Sequence, residues 1–325
     1  MLVREGDPDG NPWGIQFSTM FHMTNDSGLF RTASELEALG AQLEGNVWRK
    51  GDEAWLPLYE GKMIHQYNHR DGDYSKYILK PGKEVRSLPG LSESELANPN
   101  QLAFPRYWVN ATHVYEALGT KVSWLIGFRK STNVTTNRRT LIVSALPVAA
   151  VGDKLPLLLL NEDASTKMSL IALLNSFAAD YVARQKIGGA DMSHFVLKQV
   201  AVPSPGMLLE PVSWSAGLTI KDWIARRAFE LLYTAVDMTG IAKELNYDGL
   251  PIIWDPDRRR QLRAELDAAC FLLYGLNREE VGYIMDTFPI VQRKDEAAFG
   301  EYLTKRLILE KFDELLILQD EQVID

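Results

Sequence analysis

The side chains best suited to recognition chemistry lie between two apolar runs, in Phe128-Arg129-Lys130-Ser131-Thr132-Asn133-Val134-Thr135-Thr136-Asn137-Arg138-Arg139-Thr140. Arginine and lysine suit phosphate or guanine, the amides of Asn133 and Asn137 suit an adenine edge, and Thr135 and its neighbours suit backbone or base. A polar loop carried between strands could read a groove of nucleic acid. A solvated hairpin would have the same composition. A second group is Arg184-Gln185-Lys186-Ile187-Gly188-Gly189, cations and backbone amides at an expected helix end, where they would equally complement the helix dipole. Lys62 and Arg70 add cations in a third segment.

Catalytic patterns are weaker. Asp52 followed by Glu60-Gly61-Lys62 imitates the acid and acid-x-lysine arrangement that holds Mg²⁺ at a phosphodiester. The same residues read as a turn leading into a strand. His65 and His69 have the spacing of metal ligands on one helical face, but Asp71-Gly72-Asp73 after them reads as a turn. Transfer to an exocyclic amine needs an Asn/Asp-Pro-Pro-aromatic loop around a flipped base. Asn98-Pro99-Asn100-Gln101 lacks the second proline and the aromatic. No glycine-rich loop for S-adenosylmethionine or phosphate follows an expected strand, so no cofactor is expected in this chain.

The net charge of −8 over 325 residues argues against a polyanionic partner only on average. No Asp or Glu occurs from Ala117 to Gly152, whereas Lys121, Arg129, Lys130, Arg138 and Arg139 do. A ligand feels the charge within about 10 Å at moderate salt. No apolar run approaches the roughly 20 residues of a membrane helix. The acidic start resembles no secretory signal, and the single Cys270 excludes an internal disulfide. A cytoplasmic protein without a membrane partner is expected.

The elements that must position these groups suggest an α+β chain in three parts. Residues 1–60 read as an irregular connecting segment with one short helix, Ala33 to Leu39, capped by Thr32 with Glu35 three residues on. Residues 61–205 read as a mixed-sheet domain with strands at Phe104–Val109, Val122–Phe128, Thr140–Leu146 and Phe195–Val202, and a helix from Lys167 to Gln185. Pro203-Ser204-Pro205-Gly206 marks a boundary. Residues 206–325 read as a helical subdomain, with helices beginning at Thr219, Asp255-Pro256, Asn277 and Asp295.

Several segments resemble one family. Asn11-Pro12-Trp13-Gly14-Ile15 and Phe21-His22-Met23-Thr24-Asn25-Asp26-Ser27 are similar to the stretch preceding the target-recognition domain of large adenine-specific DNA methyltransferases. Leu56-Pro57-Leu58-Tyr59-Glu60-Gly61-Lys62-Met63-Ile64-His65-Gln66-Tyr67-Asn68-His69-Arg70 resembles their most specific signature. Leu173-Leu174-Asn175-Ser176 through Gly188-Gly189 to Pro203 resembles the recognition domains of type IIG restriction–modification enzymes and of type I specificity subunits. Asp286-Thr287-Phe288-Pro289-Ile290-Val291 and the residues to Gly300 are similar to the family's C-terminal end. The resemblance implies sequence-specific binding of double-stranded DNA in a restriction–modification or phage-defence system. It implies methyl transfer from S-adenosylmethionine to adenine N6 by a catalytic domain in the same or a separate chain; that domain is absent from these 325 residues. The expected DNA contacts are Arg129, Lys130, Asn133, Thr135, Asn137, Arg138 and Arg139, then Lys62, Arg70, Arg184 and Lys186. Two alternatives stand beside this: a Mg-dependent nuclease using Asp52, Glu60 and Lys62, and a protein-interaction module of a phage-defence complex.

Overall fold

The computed structural model describes residues 1–78 and 85–324. Its strands are β1 (Gln16–Ser18), β2 (Phe30–Arg31), β3 (Gln42–Glu44), β4 (Val47–Lys50), β5 (Glu53–Tyr59), β6 (Trp108–Asn110), β7 (Trp124–Phe128), β8 (Val143–Pro147), β9 (Ala150–Val151) and β10 (Leu157–Leu159). The helices are α1 (Ala33–Ala38), α2 (Glu93–Ala97), α3 (Ala111–Leu118), α4 (Ala164–Asn175), α5 (Phe177–Lys186), α6 (His194–Lys198), α7 (Ile220–Leu232), α8 (Thr239–Glu244), α9 (Pro256–Leu273), α10 (Arg278–Asp286), α11 (Pro289–Phe299) and α12 (Leu303–Ile324). The fold is α+β with a helical C-terminal region.

One sheet has the antiparallel order β1-β10-β7-β8; the other has the order β2-β6-β5-β4-β3, antiparallel throughout, with β9 added parallel to β5. Strand β7 shows why its run is apolar on both faces. Trp124, Ile126 and Phe128 enter one core with the helices, while Leu125 enters a second core with Leu56 and Leu58 of β5. Alternate side chains point to opposite faces of a strand, so a sheet covered on both sides needs apolar residues at every position. The first core runs from Leu2 and Trp13 through α4, α5, α7 and α9 to Phe312 on α12. It crosses Pro203–Gly206 without a gap.

Residues 1–60 are more regular than their turn-rich sequence suggests. They supply β1 to β5, and β1 pairs with β10 over Gln16↔Leu159 to Ser18↔Leu157. The Thr32 capping box on α1 forms with both hydrogen bonds expected of it. The cap at Asn277 closes the same box with Glu280, while Thr219 accepts from the Asp222 amide and Asp255 from the amides of Asp257 and Arg258.

Four expected elements differ. The strand Phe195–Val202 is instead α6: Ser193 accepts from the Val196 amide and starts a single turn that buries Leu197. A local cap overrides the β-branched composition. Of Phe104–Val109 only Trp108 and Val109 lie in a strand. The helix Lys167–Gln185 breaks at Ser176, which holds φ −68° and ψ 155° and both ends α4 and starts α5. In the C-terminal region Asp295 opens no helix. It lies inside α11, which begins at Pro289, and its carboxylate receives the Thr304 amide of α12 at 2.7 Å.

Candidate nucleic-acid interface

The segment 129–142 joins β7 to β8, and Phe128 pairs with Val143 at its base. It is not a free hairpin. The Thr132 amide donates to Ala190 O at 2.8 Å and the Met192 amide to Lys130 O at 2.7 Å, around a bridge between Ser131 and Asp191. Two segments some sixty residues apart thus become one surface. Asn133, Thr135, Thr136 and Arg138 are exposed on one side, and Lys186, Gly188 and Gly189 on the other. Asn137 is half-buried, as are Arg129 and Lys130.

Within the loop Asn133 makes an Asx turn. Its Oδ1 accepts from the Thr135 amide at 2.9 Å and from Thr135 Oγ1 at 2.7 Å. Both acceptor positions are occupied, so Asn133 has only its NH₂ to offer an adenine edge. Asn137 donates weakly to Thr132 Oγ1 at 3.4 Å and keeps Oδ1 open. Of the two asparagines it is the better suited to a paired contact.

Three groups join this surface without a sequence signal that singled them out. Phe195 on α6 is 67% exposed, and Met192 ties that helix to Lys130. His194 packs on Phe17 and Phe128 with ring centroids at 5.1 and 5.7 Å. Burial, with Lys130 and Lys198 nearby, holds its pKa below the usual histidine range. Lys154 is exposed, and its carbonyl receives the Lys130 amide at 3.0 Å. The serine cap at Ser193 was the one sign that Phe195 belongs to a helical turn.

Four expected DNA contacts are instead internal struts. Arg70 has no exposed surface; its guanidinium donates to the carbonyls of Leu96, Asn98, Gln101 and Thr234. Arg139 binds Asp180 at 2.7 Å and Asn175 O at 2.6 Å, and stacks on Phe177. Arg184 lies 3.4 Å from Asp180 and over the Phe288 ring. Lys62 is spent on Glu60 at 2.9 Å and Val85 O at 2.8 Å. Each guanidinium or ammonium sits where carbonyls and carboxylates replace its water, so none is available to a phosphate.

The signature from Leu56 to Arg70 therefore builds scaffold. Gln66 donates to Leu141 O and Asn175 O, joining the 129–142 segment to the α4–α5 junction. Gly61 is needed because a Cβ there would lie 2.6 Å from Lys154 O.

The nuclease arrangement is not assembled. Asp52 and Glu60 lie at opposite ends of β5, whose seven residues span roughly 20 Å at about 3.3 Å each. Glu60 accepts instead from Tyr74 and Lys62. His69 bonds Asp237 at 2.9 Å, and among the described residues no three His, Cys, Asp or Glu side chains converge as metal ligands. Asn98 and Asn100 form a tight turn whose Asn98 carbonyl serves Arg70. Among the described residues no helix is long and apolar enough to cross a membrane. No family model, curated protein or solved structure matches the chain.

Proposed function

We propose that this chain recognises duplex DNA through the surface formed by residues 129–138 and 186–195, as the target-recognition part of an adenine-N6 methylating system. The observation that carries the reading is the backbone junction of Thr132 and Met192 with Ala190 and Lys130. It joins cations, amide and hydroxyl donors, two glycines and an exposed aromatic; the 129–138 segment carries no acid, and the one carboxylate of 186–195, Asp191, faces Ser131. Phosphate contacts would come from Lys130, Arg138, Lys154 and Lys186, and base-edge contacts from Asn137 and Thr135. Methyl transfer from S-adenosylmethionine belongs to a catalytic domain in the same or another chain, which would also flip the adenine.

The test is fluorescence anisotropy with labelled duplex over a salt series. Log K should fall with log salt with a slope of about −0.9 per phosphate engaged. Lys130→Ala and Lys186→Ala should weaken all sequences alike and shallow the slope by about one unit each. Asn137→Ala should relax preference at one base pair, worth roughly 1–3 kcal/mol. Absence of binding at about 50 mM salt, or a slope near zero, would overturn the reading.

A second reading, a module that docks a protein partner, is favoured by Leu250 and Ile253, which are 85% and 72% exposed beside Tyr247. Isolated exposed apolar residues are ordinary, but three within seven positions form a patch. Leu250→Asp with Ile253→Asp should then abolish association with the catalytic domain and leave DNA affinity intact.

A further inference from the structure

A cleft of about 540 Å³ lies between the 65–71 segment and helices α9, α11 and α12. That volume is typical of small-molecule sites, roughly 300–1,000 Å³. Its walls carry Arg138, Arg259, Arg263, Lys294, His65 and Phe299.

The cationic side chains are only partly compensated. Arg259 and Arg263 are one turn apart on α9. Arg259 donates to Leu231 O and Tyr67 O, and Arg263 to Gln66 O at 3.2 Å. Both Nε atoms are buried with no hydrogen-bond partner. Among the described residues, Arg259, Arg263 and Lys294 have no carboxylate within ion-pair distance.

Four acids share those walls: Glu93 is exposed in the first turn of α2, and the other three are at least half-buried. Asp295 takes Arg138 and the Thr304 amide. Asp267 takes the Phe177 amide, and burial pushes its pKa up to about 6. Burial also raises Asp71. Unpaired cations in a partly desolvated cleft favour an anion strongly. Phe299, 47% exposed on α11, adds a flat apolar wall.

We infer that this cleft binds a nucleotide, with its phosphate at Arg263 and Lys294 and its base against Phe299. Charge-assisted bonds from planar guanidinium suit phosphate, and an aromatic face accepts any base. The nucleotide comes either from solution or from a strand of nucleic acid. The inference stands apart from the duplex surface and fails separately from it.

His65 reports occupancy. Burial, and then Arg263, Arg129, Arg139 and Arg138, bring its pKa to about 3; the carboxylates of Asp71 and Asp267 line the same cleft. A phosphate among those guanidiniums should raise it.

The experiment titrates the full chain with 5′-AMP, adenosine, inorganic phosphate and a short single-stranded oligonucleotide, using calorimetry and the His65 imidazole resonance. AMP should bind at least about tenfold more tightly than adenosine or phosphate, as one charge-assisted contact requires. Its saturation should shift the His65 titration upward. Lys294→Gln, at an exposed position, and Arg263→Lys should each weaken AMP about tenfold or more, with near-UV circular dichroism unchanged. Competition between the oligonucleotide and AMP assigns the nucleotide to a strand; AMP binding without competition assigns it to solution. Equal affinity for AMP and adenosine, phosphate binding as tightly as AMP, no response to Lys294→Gln, or no binding at millimolar AMP would each overturn the assignment. Duplex binding lost on Lys130→Ala while AMP binding persists leaves this site standing.

Discussion

Asp180 has no exposed surface, yet it accepts from Arg139 at 2.7 Å, from the Thr140 amide at 3.0 Å and from the Leu141 amide at 3.4 Å. One carboxylate thereby closes the C-terminal end of the recognition loop onto α5. Asp180→Ala strands the buried Arg139 and two amides, and chemical denaturation should show a loss of about 3–5 kcal/mol. A loss below about 1 kcal/mol would mean that water replaces the carboxylate and that the junction is open. Asp267 allows a test by pH. Burial raises its pKa from 3.8 to about 6, against the lowering influence of Arg139 and Arg263. In that window the folded chain keeps a proton that the unfolded chain releases, so this group's contribution to stability declines as pH rises from about 4 to about 6. Asp267→Asn should match the parent near pH 4 and exceed it by roughly 2–3 kcal/mol near pH 7. A difference independent of pH would refute the assignment. In the sequence these two aspartates and the exposed ones are the same letter; only burial separates them.

Among the elements, α11 and α12 meet through Asp295, which is 2% exposed. Its Oδ2 accepts from Thr304 N in the first turn of α12, and its Oδ1 faces Arg138 of the recognition loop. A buried amide left without an acceptor costs about 1–3 kcal/mol, so Asp295→Ala should destabilise by that amount and expose the start of α12 to hydrogen exchange. It should also free Arg138, and a modest gain in duplex affinity is the expected companion. Protection unchanged at Thr304 would show that another acceptor serves that amide. Sequence spacing read Asp295 as a helix start, which is the right chemistry at the wrong helix. The break between α4 and α5 was hidden for a related reason. Asn175 aligns with Val143, giving to its carbonyl at 2.8 Å and taking from its amide at 2.9 Å. That exchange ends α4 where no glycine or proline announces a stop. The caps at Thr32, Thr219, Asp255 and Asn277 were legible because both partners lie within three residues of each other.

At the scale of the whole molecule, one core links the amino-terminal residues to the last helix. Leu2 and Val3 bond the carbonyls of Val200 and Lys198, at 2.7 and 3.0 Å, and Trp124, Phe177, Trp223, Phe271 and Phe312 share one cluster. The last strand ends at Leu159 and helices α4 to α12 run from Ala164 onward, so Pro203–Gly206 lies within the helical part of that cluster and divides neither sheet from helix nor core from core. Urea unfolding should therefore show one transition, coincident by far-UV circular dichroism and tryptophan fluorescence. Phe271→Ala should shift both probes together at a cost of about 3–5 kcal/mol. A separate helical transition that leaves the tryptophan signal in place would show that residues 206–325 fold by themselves.

The sequence by itself determined what short-range physics controls. Hydrophobic period separates the sheet region from the helical region, because side-chain alternation is local. Capping residues mark most helix starts, because their bonds close within a turn. The density of donors in the recognition loop is likewise plain in Arg129 to Arg139. Tertiary structure decided which cations face outward, since Arg70, Arg139, Arg184 and Lys62 differ from Lys130, Arg138 and Lys186 only in what packs around them. It also decided that residues near 130 and 190 form one surface, and that Arg259, Arg263 and Lys294 meet across a cleft. Those outcomes depend on partners tens to hundreds of residues away, and a one-dimensional pattern carries no record of such distances.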